Sequence, residues 1–328
     1  MTYSRTQSSG KEYYSAVHII KEQTSIIRNW VYYRLHPWGP IAPDDKNVIP
    51  LYWWDQFPNF GDQLGPWVVH RLTGLDTRNT WGNSHGSALV TVGSVVHCLN
   101  RPGLNVWGSG LIEPITSSLR RRLLFTRPNR VSAVRGSLTR NELQQRLGWD
   151  IPPVYGDPAL LVPYLLESSD YQRDQAISIV PHYLHFDVFS SCLLNTSPEI
   201  LVDVRKKPEE VVRKIANSKV VLSSSLHGLI LAQAFRIPWV WLKFVDDSQH
   251  GQGYRLAGDD FKFEDFFTTV SRKDVVSVTI HKEELADLSM DTIADKATLP
   301  DLTISLSDLI DAFPLPLSPE ATRLLDRL

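Results

Sequence analysis

Short apolar runs alternate with helix-patterned stretches along this chain, and that alternation constrains its fold more than any other feature. VIPLYWW (Val48–Trp54), SALVTVG (Ser87–Gly93), LNVWGSG (Leu104–Gly110) and VSAV (Val131–Val134) read as strands. Helical patterns stand between them at Asp62–Leu72 and Ser137–Leu147, the second with Gly148 as its stop signal. VYGDPALLVPYLL adds a strand, a turn and a helix. After a polar stretch at Glu167–Asp174 the alternation resumes. AISIV, EILVDV, KVVLSS and PWVWL are strands, and Pro208–Asn217 and His227–Phe235 are helices. Strands that are apolar throughout belong in a sheet buried on both faces, and strand–helix alternation makes that sheet parallel. The expected fold is α/β, with two Rossmann-like domains facing a cleft. The expected divisions are 1–47 (an N-terminal helix and linker), 48–170 (the first domain) and 171–328 (the second, with C-terminal helices).

The flanks are less regular. Lys11–Leu35 carries an apolar stripe at helical spacing, read either as a helix packed on the main body or as a membrane-surface or partner-binding helix. Pro37, Gly39, Pro40 and Pro43 mark a linker. KFEDFF opens a short helix, and Leu302–Phe313 and Pro319–Leu328 read as further helices.

Charge and cysteine content exclude several functions. With 34 Lys and Arg against 36 Asp and Glu, the 328 residues carry a net charge of −2, so no overall basic field holds nucleic acid or anionic lipid. Cys98 and Cys192 form no CxxC, which argues against a disulfide framework or structural zinc and fits a reducing compartment. His182 and His185 have no third ligand at metal spacing, so no metal is expected. The start has no signal-peptide pattern, and no run approaches the ~20 apolar residues that span a bilayer. A cytoplasmic protein is expected, with peripheral membrane contact left open.

In open parallel sheets, ligands bind beyond the carboxyl ends of the strands, and the unusual residues lie there. FPNFGDQLG places Asn59, Gly61 and Asp62 after the first strand. They form either a tight turn presenting N–H groups at a helix start or a plain Asx turn with Asp62 as N-cap. Gly108 and Ser109, in WGSG, allow close backbone approach to a ligand or simply a tight turn. No GxGxxG or GxxxxGK[ST] is present, so a nucleotide cofactor lacks its marker. Arg135 ends a strand just before a helix, where its planar fork suits a carboxylate or phosphate. Arg140, within that helix, reads as structural. Asp157 before Pro158 reads first as a helix cap. His182, after AISIV, can bind an anion or move a proton.

The densest stretch is VVLSSSLHGLILAQAF. KVVLSS brings the chain to a sheet edge, and Ser224 or Ser225 can cap the helix that follows. His227 falls in its first turn, where the helix dipole favours anions and disfavours imidazolium. A bound phosphate would reverse that preference. An ordinary turn histidine and a reactive one are both compatible with this position.

FPNFGDQLGPWV, VTVGSVVH, VWGSGL, VSAVRGSLTR, YGDPALL, IVPHY, SSSLHGLILAQAF and GYRLAGDDFKFEDFF, taken in order, resemble the polysaccharide pyruvyl transferase family, and SSSLHG with KFEDFF resembles its exopolysaccharide branch. The resemblance spans roughly Leu51–Phe267. It implies a fold similar to the two-domain GT-B glycosyltransferases. It also implies transfer of the pyruvyl group of phosphoenolpyruvate to two hydroxyls of one sugar, as a cyclic ketal. On that reading His227 is the general acid, Arg135 grips an anionic group of the donor, and Asp62 or His182 removes a hydroxyl proton. Asn59, Gly61, Gly108, Ser109, His182, Ser224, Ser225, Leu226 and Gly228 line the donor site. Phosphoenolpyruvate is the donor substrate, no cofactor or metal is required, and the acceptor is a lipid-linked oligosaccharide at the inner membrane face. Many relatives carry Arg immediately before Leu-His, where this chain has Ser225. Trp53, Trp54, Trp67, Trp81 and Trp107 are expected near the cleft as sugar-stacking surfaces. Two rival readings are a nucleotide-sugar glycosyltransferase and a non-catalytic member that binds polysaccharide or a partner.

Overall fold

Val, Ile, Leu and Trp fill the central strand positions on both faces, and the result is two sheets in which every pairing is parallel. A computed structural model describes residues 41–44, 47–83, 86–166, 172–193, 200–246 and 259–328. The expected helix at 11–35 and most of the junction at 167–174 lie outside the described residues.

The first sheet contains β1 (Ile49–Leu51), β2 (Thr77–Asn79), β3 (Ala88–Val90), β4 (Leu104–Trp107) and β5 (Arg130–Ala133), in the order β2-β1-β3-β4-β5. Helix α1 (Phe60–Thr73) packs on one face. Helices α2 (Ser117–Phe125) and α3 (Ser137–Leu147) pack on the other. The second sheet orders β6 (Gln175–Val180), β7 (Ser218–Ser223), β8 (Trp239–Val245) and β9 (Ser277–His281) as β6-β7-β8-β9. Its helices include α4 (Phe186–Leu193), α5 (Pro208–Ala216), α6 (Leu226–Ala234) and α7 (Asp259–Phe267). Short helices α8 (Met290–Ala294), α9 (Leu306–Asp311) and α10 (Pro319–Leu325) follow. No helix among the described residues is long and apolar enough to cross a membrane.

Local chemistry explains the sharper boundaries. Asn59 caps α1 by accepting from the Gly61 N–H at 3.3 Å, and α1 ends on Gly74 in the left-handed region (φ 71°). Helix α3 occupies the residues its pattern predicts and stops at Gly148 (φ 66°). Two expected strands do not form. EILVDV contributes a single parallel bridge, Leu201 to Ile179, at the open edge of β6. The Arg205 guanidinium and N–H then turn back onto Asp203. VYG likewise makes one bridge, Tyr155 to Val134, before Pro158 opens a 3-10 helix, Pro158–Leu165.

One apolar cluster joins the two sheets. It runs from Ile49, Phe60 and Leu64 through Leu160 and Leu161 to Leu229, Trp239 and Phe267. The C-terminal segment crosses back to the first sheet. Trp107 Nε1 donates to the Leu309 carbonyl at 2.8 Å, the Ser318 N–H donates to the Leu72 carbonyl, and Arg327 reaches the Leu166 carbonyl.

Candidate active site

Strand order reverses direction between β1 and β3, the point where open parallel sheets bind ligands. The loop after β1 and the turn after β3 therefore frame a crevice. The carboxyl ends of β6 and β7 close it from the other side, and the Phe60 N–H donates across it to the Val204 carbonyl at 2.8 Å.

His227 stands at the centre, in the first turn of α6, with 8% of its surface exposed. Its ring lies in space that only glycine leaves open. A Cβ on Gly61 would sit 2.2 Å from His227 Nδ1. The opposite nitrogen, Nε2, is buried without a hydrogen-bond partner and points at Asp157 Oδ2, 3.7 Å away. Asp157 is fully buried. Its Oδ1 accepts from the Ala159 N–H, so it is the expected cap, and its Oδ2 accepts from the Gly93 N–H at 3.4 Å. The cap thus also aims a carboxylate at the histidine. The sequence reads Asp157 as structural first and functional second, the signal for the second being its place beyond a strand-like run.

Asp62 approaches from the first turn of α1. Asn59 Nδ2 donates to its Oδ2 at 2.7 Å, and a Cβ on Gly93 would lie 3.5 Å from its Oδ1 and 3.9 Å from His227 Cε1. The N-cap of α1 is Asn59, not Asp62. Burial pushes the Asp62 carboxyl up to about 6, against the opposing pull of His227 and the Asn59 hydrogen bond. A carboxyl poised there exchanges protons near neutral pH.

The serines divide their work. Ser223 Oγ donates to the Val180 carbonyl and accepts from the Ser225 N–H, locking the turn. Ser224 Oγ accepts from the His182 N–H at 3.0 Å and meets His185 Nδ1 at 3.4 Å. Ser225 occupies the N-cap of α6 in extended conformation, but its side chain makes no capping bond. The N–H groups of the first turn of α6 are left without a side-chain cap there, an arrangement that favours anions. Leu226 is buried in the shared core. Gly228 permits helix α6 to lie against β6 and β7, since a Cβ there would meet Ser223 Oγ at 2.3 Å.

His182 and His185 are held neutral. Burial lowers both, His185 to about 4 and His182 well below its ordinary value, and the charge of Lys262 adds to each effect. That same lysine, on α7, also acts on Asp62. Lys262 therefore brings positive charge to the crevice from the KFEDFF segment.

Other expected residues sit elsewhere. Arg135 is fully buried. Its Nε donates to Asp265 Oδ2 at 3.0 Å, and the other two nitrogens reach Ser94 Oγ and the Leu111 carbonyl, both at 2.6 Å. The guanidinium faces protein acceptors on these sides. Ser109 is buried, its Oγ donating to the Gly93 carbonyl and accepting from the Val95 N–H. Gly108 (φ 80°) lies against Pro158, 2.3 Å from where its Cβ would be. Both support the Gly93 turn from behind. Trp107 is buried against Phe313, whereas Trp53, Trp54, Trp67 and Trp81 are half-buried, Trp81 against Tyr52 and Trp54. Among the described residues no group of three His, Cys, Asp or Glu side chains is placed to hold a metal ion.

A histidine, two carboxylates and an uncapped helix start thus gather at the facing carboxyl edges of two parallel sheets. The chain belongs to the polysaccharide pyruvyl transferase family, whose model matches residues 13–243. It is similar to the succinoglycan biosynthesis protein ExoV of Rhizobium meliloti (strain 1021), at 30% identity over 202 residues, 58% of each chain. It is also similar to the uncharacterized protein L143 of Acanthamoeba polyphaga mimivirus, at 26% identity over 119 residues, 34% of this chain and 38% of that one. The match thus spans less than two thirds of either relative. No solved structure matches.

Proposed function

We propose that this chain transfers the pyruvyl group of phosphoenolpyruvate to two hydroxyls of one sugar in an exopolysaccharide or its lipid-linked precursor, forming a cyclic ketal. Family membership supports the activity. The observation that carries the residue roles is the meeting of His227 with Asp62 and Asp157 at the β1/β3 switch point. The two sheets are then the halves of a GT-B-like cleft.

The donor's phosphate lies at the uncapped start of α6, and Lys262 supplies the positive charge that Ser225 lacks. Arg135 holds Asp265 and Ser94 and acts from behind the site. His227, whose Nε2 faces Asp157, delivers a proton to the methylene carbon, which becomes a methyl group. One sugar hydroxyl attacks C2 and Asp62 takes its proton. The C2–O bond to phosphate breaks and phosphate leaves. The second hydroxyl closes the ketal, its proton passing to the departing phosphate. Overall, two C–O bonds and one C–H bond form, while the C=C π bond, the C2–O bond to phosphate and the two sugar O–H bonds break, one hydroxyl proton replacing the one given by His227 and the other leaving with phosphate.

The test is incubation with phosphoenolpyruvate and p-nitrophenyl sugars, reading phosphate release and product mass. The expected product gains the mass of a pyruvyl ketal, and UDP- or GDP-sugars do not replace the donor. His227→Ala and His227→Gln proteins should stay folded by circular dichroism and lose at least ~100-fold in turnover, the lower range for a proton-transfer group. Near wild-type turnover in purified His227→Ala would overturn the assignment.

A further inference from the structure

Trp107 is buried against Phe313, and the crevice has a further aromatic surface at its mouth. Phe57, in the loop after β1, is 58% exposed, more than the other large apolar side chains that reach solvent among the described residues. Its ring lies nearly parallel to that of Tyr183, with centroids 6.2 Å apart and planes 19° apart. Tyr183 follows β6, so the pair spans the two sides of the crevice. The Tyr183 ring meets His182 at 4.5 Å, and Leu184 beside it is 42% exposed.

A phenyl ring kept in water forgoes the stabilisation that burying it would gain. A pair serving only to clasp the two sides would bury its rings, as Trp241 and Phe263 do in the core. Polar residues flank the pair in the chain: Gln56 donates to Asp55 and Asn59 to Asp62 on the Phe57 side, and the His182 ring lies against Tyr183. A pyranose, apolar on its C–H face and ringed with hydroxyls, fits both surfaces.

We propose that Phe57 and Tyr183 form the acceptor subsite. A hexopyranose stacks its C–H face on the aromatic pair and turns two hydroxyls toward Asp62 and His182. This rests on the pyruvyl transfer proposed above. It assigns the acceptor to the mouth of the crevice and the donor to its floor at His227.

The test uses the full chain with phosphoenolpyruvate and a panel of p-nitrophenyl hexopyranosides. Phe57→Ala and Tyr183→Ala should each raise the acceptor KM about three- to tenfold, the scale of one aromatic contact, with the phosphoenolpyruvate KM unchanged. Phe57→Trp should restore it. An unchanged acceptor KM in Phe57→Ala overturns the subsite, as does a joint rise of both KM values with a lower Tm, which marks a structural clasp. If the wild-type protein consumes no phosphoenolpyruvate with any sugar, the pyruvyl-transfer reading fails. The subsite is then read by saturation-transfer NMR with the same glycosides: signal at the ring C–H protons that is lost in Phe57→Ala supports it, and no signal with the wild-type protein overturns it.

Discussion

Single residues at the crevice carry contributions that can be separated. Gly61 is there for the space it leaves. With His227 Nδ1 2.2 Å from where a Cβ would stand, Gly61→Ala must displace the imidazole or the start of α1. Turnover should fall by at least ~10-fold, since misplacing a catalytic group by about 1 Å costs up to 10², while Tm changes by only a few degrees; thermal melting beside the phosphate-release assay checks both. Asp62 gives a pH signature. Burial raises its carboxyl from 3.8 to about 6, so the folded state binds the proton more tightly than the unfolded chain. The sheltered neutral form favours folding below about pH 4, and that advantage is lost as pH rises through 6. Asp62→Asn should therefore stabilise the protein at pH 7, by on the order of 3 kcal/mol, and remove this slope in urea titrations between pH 4 and 7. The same variant should lose the acid limb of the rate profile near pH 6 together with most turnover.

At the scale of elements, α7 is a strut between the two sides. A Cβ on Gly136 would clash with the Asp265 carbonyl at 1.9 Å, so α7 is pressed against the start of α3. Gly136 provides no side-chain cap, and Asp265 supplies one from α7. Its Oδ1 accepts from the Thr139 N–H at 2.7 Å, while its Oδ2 holds both Thr139 Oγ1 and Arg135. Both Arg135 and Asp265 are fully buried, so removing one leaves an uncompensated charge. Asp265→Ala should cost about 3–5 kcal/mol in denaturant unfolding, whereas Arg272→Ala, which breaks the exposed pair with Glu264, should cost under about 1 kcal/mol. Elements with strong local signals were legible in the sequence. Helix α3 has its Gly148 stop, and β7 leads from an apolar run into a serine turn. Strands β2 and β9 were missed because they are short edge strands mixing polar and exposed residues. Arg135 looked like an anion clamp because its partner lies 130 residues away, a distance no local pattern reports.

For the whole molecule, sequence alternation conveyed two parallel sheets but not how they meet. His227 was legible as the residue to test, from its place at a strand end and helix start. Asp157 and Lys262 were not, because what assigns them is convergence of segments 70 and 35 residues from it in sequence. The aromatic pair at the mouth was equally hidden, since Phe57 and Tyr183 carry no local sign of facing each other. The return of the C-terminal segment, with Ser318 on the Leu72 carbonyl and Trp107 on that of Leu309, further ties the chain's end to its first sheet.

The glycine seat of His227 has a consequence for inheritance. The residue that opens the space comes from the first sheet's side, and the residue that fills it from the second. A gene joining the front of one relative to the back of another works only where a histidine meets a glycine across the seam. The two segments must therefore change together, although 165 residues separate the two positions in the chain.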